Sequence, residues 1–241
     1  MKGPSVEVIA STVCARKPFR SPHRGDQDQG SEMARLIEFA GRACYNSYDK
    51  GRDSAAFHAH LRAVDHLSVI EHASLSFHIS GISRGCSHEL VRHRVGVAIS
   101  QRSTRYVDES ESEWCWHPAL LKIWIQEEGV AAFQQQARAL YRGLVEKLEP
   151  KVGRKQARGA ARGVLGNALS TELVYTCNLR ALRHIIALRA TDAADAEIRL
   201  LAVAMHAAAL PYCPEWLSDF EEYPAVDGIG VCLRSKDGRQ D

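Results

Sequence analysis

The feature that most restricts how this chain can fold is a concentration of cationic side chains between Arg92 and Tyr106. The fourteen positions that begin at Arg92 hold four arginines, one histidine and three hydroxyl residues, with no acidic residue among them. Ordinary helix faces balance their cations with acidic neighbours, so this segment is expected to face an anion. Planar guanidinium groups pair well with phosphate and other oxyanions. The segment therefore predicts a phosphate-bearing ligand, which could be a nucleotide, a cofactor phosphate or a nucleic acid backbone.

The composition indicates one globular domain in a reducing compartment. The 241 residues are 45% hydrophobic and 25% charged, which is typical of a chain with a substantial core. The net charge is only +2, from 31 basic and 29 acidic residues, and this argues against general nucleic-acid binding. The seven scattered cysteines include no C-x-x-C pair, which argues against a disulfide framework and favours the cytoplasm. We see neither a signal peptide nor a run long enough to span a membrane.

Hydrophobic periodicity predicts an α+β fold, with a mixed or antiparallel sheet flanked by long helices. Alternating apolar residues predict strands at Ser5–Thr12, Ala73–Ser80 and Glu172–Thr176. Helical spacing predicts helices capped by Ser31, from Ser54 to Asp65, from Gly81 to Arg94, over Pro118–Leu148 with a break near Gly129, and over Arg154–Ala168, Leu179–Arg189 and Ala193–Leu210. We expect loops at Val95–Thr104 and at Lys17–Gly30, the second of them mobile, and a loose tail over residues 224–241. Without a repeat or a linker, residues 1–241 are predicted to form a single domain.

Two further segments are candidates for the same site. Glu71–Ser74 stands at the mouth of a predicted strand. The other segment is Asn178–Arg189. It begins with Asn178, a good N-cap, and Arg180, His184 and approximately Arg189 lie on one face of the helix that follows. A structural interpretation stays open for each segment: a solvated basic helix end or face, or a histidine that makes only structural hydrogen bonds.

Metal and thiol chemistry are both disfavoured. The histidines in the first half of the chain lack the i, i+4 spacing of a zinc-binding helix, and no cysteine pair accompanies them. Cys86 and Cys213 could suggest a thiol nucleophile, but cysteines in such positions are more often small buried hydrophobic residues. We therefore predict no metal site and no catalytic cysteine.

Taken in order, four blocks of residues resemble the flavin-dependent thymidylate synthases. The blocks are His66-x-Ser68-x-x-Glu71-His72-Ala73-Ser74-x-x-Phe77, then Arg92-His93-Arg94, then Ser100-Gln101-x-Ser103-x-Arg105-Tyr106, and then Asn178-x-Arg180-x-Leu182-x-His184-x-x-x-Leu188-Arg189. The resemblance extends from about Cys44 to Trp216. It implies reductive methylation of dUMP at C5 to give dTMP, with the carbon from methylenetetrahydrofolate and the hydride from FAD reduced by NADPH. It also implies an α+β homotetramer with its sites between subunits.

The resemblance also assigns roles to residues by matched position. It places around FAD the residues His72, Ser74, Arg92, His93, Arg94, Asn178, Arg180 and His184. It places around the nucleotide the residues Glu89, Arg92, Gln101, Arg102, Ser103, Thr104, Arg105, Arg162 and Arg189. The Ser103–Arg105 segment would hold the phosphate. Arg189 would lie at the pyrimidine edge, where a cation stabilises an enolate-like ring, and it is the predicted catalytic residue.

Departures from the family pattern bear on the substrate. The family motif is Arg-His-Arg, seven residues and then serine, but here Arg102 stands at that spacing and Ser103 follows it. One residue is therefore inserted within Val95–Ile99. Glu89 also stands where glutamine is common. Relatives from nucleoside-antibiotic pathways methylate UMP, so a UMP C5-methylase with relaxed specificity is the alternative, in which Glu89 would bind the ribose 2′-hydroxyl. A non-catalytic nucleic-acid-binding protein is a more remote alternative, because no aromatic-stacking motif is present.

Overall fold

The computed structural model of the protein describes residues 3–15, 30–48, 52–124 and 128–236. In these ranges the strands are β1 (Ser5–Ser11), β2 (Ser74–Ser83), β3 (Val97–Gln101), β4 (Ser170–Asn178), β5 (Phe220–Pro224) and β6 (Val231–Ser235). The helices are α1 (Glu32–Cys44), α2 (Ser54–Ala63), α3 (Arg84–Leu90), α4 (Pro118–Trp124), α5 (Glu128–Val152), α6 (Arg154–Ala161), α7 (Leu179–Arg189), α8 (Ala196–Ala209) and α9 (Pro214–Leu217). Short 3-10 turns lie at Leu67–His72, Arg162–Val164 and Leu210–Tyr212.

The main sheet is antiparallel, with the strand order β1-β2-β4-β3. Its alternating residues place Leu75, Phe77 and Ile79 on a face that is fully buried against the helices. The opposite face is polar, and there Ser76 and Thr176 on neighbouring strands share a hydrogen bond of 2.8 Å. Each buried leucine- or phenylalanine-sized side chain contributes about 1.5–3 kcal/mol through removal from water. The predicted α+β class and the antiparallel sheet are confirmed.

The two inner strands each lead directly into a helix that carries predicted site residues. Ser83 ends β2 and caps α3, with its Oγ accepting from the Cys86 amide at 2.9 Å. Asn178 ends β4 and caps α7, with its Oδ1 accepting from the Ala181 amide at 2.8 Å. Because β2 and β4 are antiparallel, the two helices begin at opposite ends of the sheet. The chain after α3 returns to the start of α7, where the Asn178 amide donates to the Gly96 carbonyl at 2.9 Å.

Two predictions about the cationic segment are wrong in detail. The helix after Ser83 ends at Leu90, before Arg92. Residues 91–93 continue as turns, with the His93 amide donating to the Leu90 carbonyl. The predicted loop Val95–Thr104 contains β3, because the apolar residues Val97 and Ile99 alternate with exposed ones and pair with β4. The cations therefore flank an edge strand instead of covering a helix.

The C-terminal prediction also needs correction, because residues 224–236 are not a loose tail. β5 and β6 form a hairpin, in which Cys232 and Leu233 are fully buried. The Leu233 amide donates to the Ala190 carbonyl at the end of α7 at 2.7 Å. The alternation of this strand is too short to be read from the sequence among the polar residues that surround it. The predicted mobile loop Lys17–Gly30, apart from Gly30, and residues 237–241 lie outside the described residues.

Candidate active site

A cavity of about 440 Å³ lies between the turn after α3 and the first turns of α7. We call it the α3–α7 cavity, and its lining residues are Glu71, Arg92, His93, Arg94, Val95, Asn178, Arg180, Ala181, His184 and Ile185. The tertiary structure thus brings together two segments that lie more than 80 residues apart in the sequence. Within the described part of the chain, the side chains of Arg92 and Arg94 make no hydrogen bond or ion pair. The cavity therefore presents unsatisfied guanidinium groups, which suits an anionic ligand.

Arg189 does not line this cavity, but it contacts His93, which does, and two hydrogen bonds hold its side chain. Its Nε donates to His93 Nε2 at 3.0 Å, and its Nη1 donates to Glu89 Oε2 at 3.3 Å. Since a guanidinium group is never an acceptor, His93 Nε2 must carry a lone pair. The ring of His184 meets the ring of His93 edge-on, with 5.9 Å between centroids. Four predicted residues, from α3, the turn after it and α7, therefore form one connected group.

The charges around this group shift its ionisation in a consistent direction. Burial is the main cause that lowers the pKa of His93 to about 4, and the neighbouring Arg189, His184 and Arg92 lower it further. The imidazole is therefore neutral near neutral pH, as the hydrogen bond from Arg189 requires. Burial also raises the pKa of Glu89, and so does repulsion from Asp195, while Arg189 opposes that rise.

At the mouth of the cavity, Arg180 is paired with a carboxylate. Its Nη1 lies 2.5 Å from Glu71 Oε1, and both side chains are about half exposed. An exposed pair of this kind contributes little to stability. A stronger anion can therefore displace Glu71 at small cost. Glu71 was not among the predicted site residues, although it stands in the Glu71–Ser74 segment; its position before a histidine at the strand entrance was the available signal.

A second cationic group lies around the residues that follow β3. Arg102 contacts the fully buried Glu109 at 3.3 Å, and Arg162 donates to Thr104 Oγ1 at 3.3 Å. Arg84 joins them, with its Nη1 donating to the Arg102 carbonyl at 3.4 Å. Burial lowers the pKa of Arg84, and so do the charges of Arg162 and Arg102, whereas Glu109 raises it. We call Arg84, Arg102, Thr104, Glu109 and Arg162 the β3-end cluster.

Sequence reasoning missed two members of the β3-end cluster, Arg84 and Glu109. Arg84 stands alone between a strand and a helix, and Glu109 stands in an acidic run that reads as solvated surface. Arg84 begins α3 and Glu109 follows β3, and the tertiary structure brings both into contact with Arg102. Arg105, which was predicted, is exposed, and its side chain has no partner in the described ranges. It is therefore free to contact a ligand next to the cluster.

The remaining predicted residues are held by protein contacts or lie outside the cavity lining. Gln101 donates from Nε2 to Ser87 Oγ at 2.9 Å and to Thr171 Oγ1 at 3.1 Å. The Ser103 hydroxyl accepts from the Arg105 amide at 3.4 Å. Ser74 pairs with Asn178 across the sheet and bonds to Thr12 through its main chain, while His72 is exposed at the end of a 3-10 turn. The roles of these residues stay predictions.

The sheet with a cationic group at each end of β3 is an arrangement that suits phosphate-bearing ligands. A family model described as "Thymidylate synthase complementing protein" matches residues 28–215. Proteins named flavin-dependent thymidylate synthase from Mycobacterium sp. strains JLS and KMS are each 44% identical to this chain over 242 residues, covering 94% of it and 93% of their own length. The chain therefore belongs to the family of flavin-dependent thymidylate synthases. The predicted family and enzyme class are confirmed.

A solved structure supports the fold. It is Thymidylate Synthase X (ThyX) from Helicobacter pylori, crystallised with FAD and dUMP. The TM-score is 0.61 and the sequence identity 24%, and the match covers 85% of this chain and 92% of that one. The two chains therefore share the fold.

None of the described helices combines the length and the hydropathy needed to cross a membrane. Over the same ranges, no three His, Cys, Asp or Glu side chains are grouped so that they could hold a metal ion.

Proposed function

We propose that this enzyme methylates dUMP at C5 to give dTMP, with methylenetetrahydrofolate as carbon donor, FAD as hydride carrier and NADPH as reductant. The observation that carries the proposal is the α3–α7 cavity. It gathers Arg92, His93, Arg94, Asn178, Arg180 and His184, which were predicted as FAD-binding residues, in one place. The family membership supplies the reaction class, and the cavity supplies a site on this chain where that reaction can occur.

The residues of the cavity fit the phosphate groups of FAD. Arg92 and Arg94 have no anionic partner in the described ranges, and Arg180 has only an exposed one. Guanidinium groups bind phosphate oxygens through paired hydrogen bonds. Gly96 approaches Asn178 so closely that a Cβ at this position would lie 2.4 Å from Asn178 Nδ2. We therefore assign Arg92, Arg94, Asn178 and Arg180 to binding, and bound FAD supplies the hydride chemistry.

The chain's own residues bind and polarise the nucleotide. Arg189 presents a fixed positive charge, and a cation at the N3/O4 edge of uracil stabilises the anionic ring and raises electron density at C5. The β3-end cluster, with the exposed Arg105 beside it, supplies cations for the nucleotide phosphate. α3 connects Arg189 with the β3-end cluster, because Glu89 on this helix contacts Arg189 and Arg84 at its start belongs to the cluster. Arg84 and Glu89 are five positions apart, or about 7.5 Å along a helix.

A cysteine nucleophile plays no part in this proposal. Burial raises the pKa of the Cys177 and Cys213 thiols to about 12 each, and it raises the pKa of Cys86 as well. These three thiols stay protonated and buried near neutral pH, so they are poor nucleophiles. Electron density at C5 must then come from polarisation of the ring, which is the role assigned to Arg189.

The alternative substrate, UMP, is favoured by one observation at the cavity. The β3–β4 register runs without a shift from Val97 to Gln101. This unshifted register favours the turn before the strand, at Val95 or Gly96, as the place of the additional residue. Val95 is 90% exposed and lines the cavity. Arg92 lines the same cavity and is predicted to contact both FAD and the nucleotide, so a remodelled turn beside it is where a ribose 2′-hydroxyl would be admitted.

A single-turnover assay with FAD, NADPH and methylenetetrahydrofolate, offering dUMP and UMP side by side, tests the proposal. We expect a flavin-coloured protein that forms dTMP. Comparable or greater methylation of UMP would identify the alternative function. A colourless protein that methylates neither nucleotide but retains an oligonucleotide would contradict the proposal and support the nucleic-acid-binding alternative.

We also propose that the enzyme is a homotetramer of the cytoplasm. The support is the resemblance of the sequence motifs to a family with sites between subunits, together with seven free cysteines, four of them buried and none in a disulfide. Light scattering on a sizing column should give four times the chain mass. A monomer that retains full activity would contradict the tetramer.

A further inference from the structure

We propose that Glu89 is a positioning residue, which together with His93 fixes the plane of the Arg189 guanidinium group. The inference deepens the proposed function and rests on it, because Arg189 is the residue assigned to polarise the pyrimidine. In this inference Glu89 acts through Arg189, whereas the earlier hypothesis was that Glu89 binds a ribose hydroxyl.

The geometry of the two hydrogen bonds carries the inference. His93 Nε2 accepts from Nε at 3.0 Å, and Glu89 Oε2 accepts from Nη1 at 3.3 Å. The two acceptors engage two different nitrogens of the planar group, so rotation about the last side-chain bonds of Arg189 is restricted. In the described part of the chain, Nη2 makes no hydrogen bond. The arrangement therefore leaves one end of the guanidinium group for a ligand.

The burial of the pair explains why orientation matters here. The Arg189 side chain is 23% exposed and the Glu89 side chain 33% exposed. A long arginine side chain has many rotamers, and an anchored one loses less entropy when it binds. A donor held in place before reaction also costs no reorganisation when charge develops on the substrate. Removing an anchor should therefore slow the chemical step more than it weakens substrate binding.

The charged groups around Glu89 show which nearby carboxylate pairs with Arg189. Asp195, which precedes α8, and Glu197 on α8 repel its carboxylate, while Arg189 and Arg92 attract it. Asp195 interacts instead with His117 at 3.1 Å, and Glu197 accepts from the Ser83 amide and hydroxyl at 2.7 and 2.6 Å. Glu89 is thus the one carboxylate of these three that forms an ion pair with Arg189 in the described residues.

A double-mutant cycle with Glu89→Ala and Arg189→Lys tests the inference. Residues that act through one another give non-additive effects. We expect Glu89→Ala, which removes the acceptor, to lower kcat for dUMP about tenfold or more and to change KM less than about threefold. Arg189→Lys should lower kcat further, and the double variant should be no slower than Arg189→Lys alone. Glu89→Asp, which keeps the charge on a shorter side chain, should recover part of the lost kcat.

The control is Glu111→Gln, which removes an exposed ion pair with Arg142 outside both cationic groups. It should leave kcat and KM unchanged. Flavin absorbance and circular dichroism confirm that each variant is folded, and a Glu89→Ala protein that does not fold is replaced by Glu89→Asp in the cycle. Additive losses in the cycle, or a change confined to the KM for UMP, would overturn the inference. If the unmodified enzyme methylates neither nucleotide, it is the proposed function that fails.

Discussion

At the scale of single residues, the partners of each arginine separate structural from functional cations. Arg42 and Arg199 are almost fully buried and are paired with Glu38 and Asp227. A buried charge without a partner is very costly, so these pairs belong to the core. Arg92 and Arg94 are exposed toward a cavity and unpaired in the described ranges. A ligand is the partner that these two arginines lack.

The neutral state of His93 leads to a prediction about stability and pH. Its pKa is lowered from 6.5 to about 4, so between these values the unfolded chain binds more protons than the folded one. Stability contributed by His93 is therefore lost as pH falls through this window. His93→Gln keeps an acceptor for Arg189 but does not titrate. We therefore expect this variant to lose less stability between pH 7 and pH 5 than the unmodified protein does. The urea midpoints of both proteins near pH 7 and near pH 5 measure the difference. An equal fall of the midpoint in the two proteins would contradict the prediction.

The exposed Glu71–Arg180 pair leads to a prediction about FAD affinity. Glu71→Gln removes an anion that competes for Arg180. Exposed pairs contribute about 0–1 kcal/mol, so FAD should bind more tightly by no more than about fivefold. Arg180→Gln should weaken binding instead. Titration of apoprotein followed by flavin fluorescence gives both constants. Weaker binding in Glu71→Gln would show that Glu71 itself contacts the cofactor.

At the scale of secondary-structure elements, one junction combines three structural tasks. Asn178 ends β4, caps α7 and lies against the turn that precedes β3. The turn can approach because Gly96 adopts a positive φ of 68° and has no Cβ. The position of the α3–α7 cavity is therefore set by backbone contacts.

Gly96→Ala should disturb this junction. Alanine is strained at positive φ, and its Cβ would lie 2.4 Å from Asn178 Nδ2. We expect a loss of at least about 1–2 kcal/mol in the free energy of unfolding, from strain and from the displaced cap, together with weaker flavin binding. Gly143→Ala is the matched control, because Gly143 lies within α5 with no atom near the added Cβ. It should stabilise the protein by up to about 1 kcal/mol. Equal effects at the two positions would contradict the proposed junction.

At the scale of the whole molecule, the C-terminal hairpin completes the core beneath the site helices. Arg183 on α7 contacts Asp219 through two hydrogen bonds of 2.6 and 2.8 Å. Asp219 also accepts from Ser235 Oγ at 2.6 Å. Arg183 lowers the pKa of this carboxyl, against a burial effect that raises it. The helix that carries Arg180, His184 and Arg189 is therefore anchored by a segment far from the cavity.

Leu233→Ala tests whether the hairpin is part of the cooperative fold. Leu233 is fully buried, and truncation of such a side chain costs about 2–5 kcal/mol. Val226→Ala, at a side chain that is 89% exposed in the same hairpin, should change stability by less than about 0.5 kcal/mol. Urea unfolding measured by circular dichroism gives both values. A negligible cost for Leu233→Ala would show that the hairpin is dispensable.

The sequence by itself determined which elements form and which residues are available for chemistry. Period-2 alternation identified β1, β2 and β4, because one face of each strand must be buried, and Ser31 and Asn178 marked helix starts through their caps. The unbalanced cations at Arg92 and Arg94 pointed to an anion. Local signals were sufficient for these features, since capping and amphipathic burial depend on neighbours within a few residues.

Only the tertiary structure decided which of these residues meet. Arg189 and His93 lie nearly a hundred residues apart, and their contact follows from the return of the chain along α3 and the pairing of β3 with β4. The tertiary structure also brings Arg84 and Glu109 into contact with Arg102. Burial of Cys232 and Leu233 stabilises β6 in a segment that the sequence predicted to be a loose tail. Such contacts depend on sheet register and on the packing of distant elements. No local pattern encodes them, because the free energy that selects them comes from burying the whole core at once.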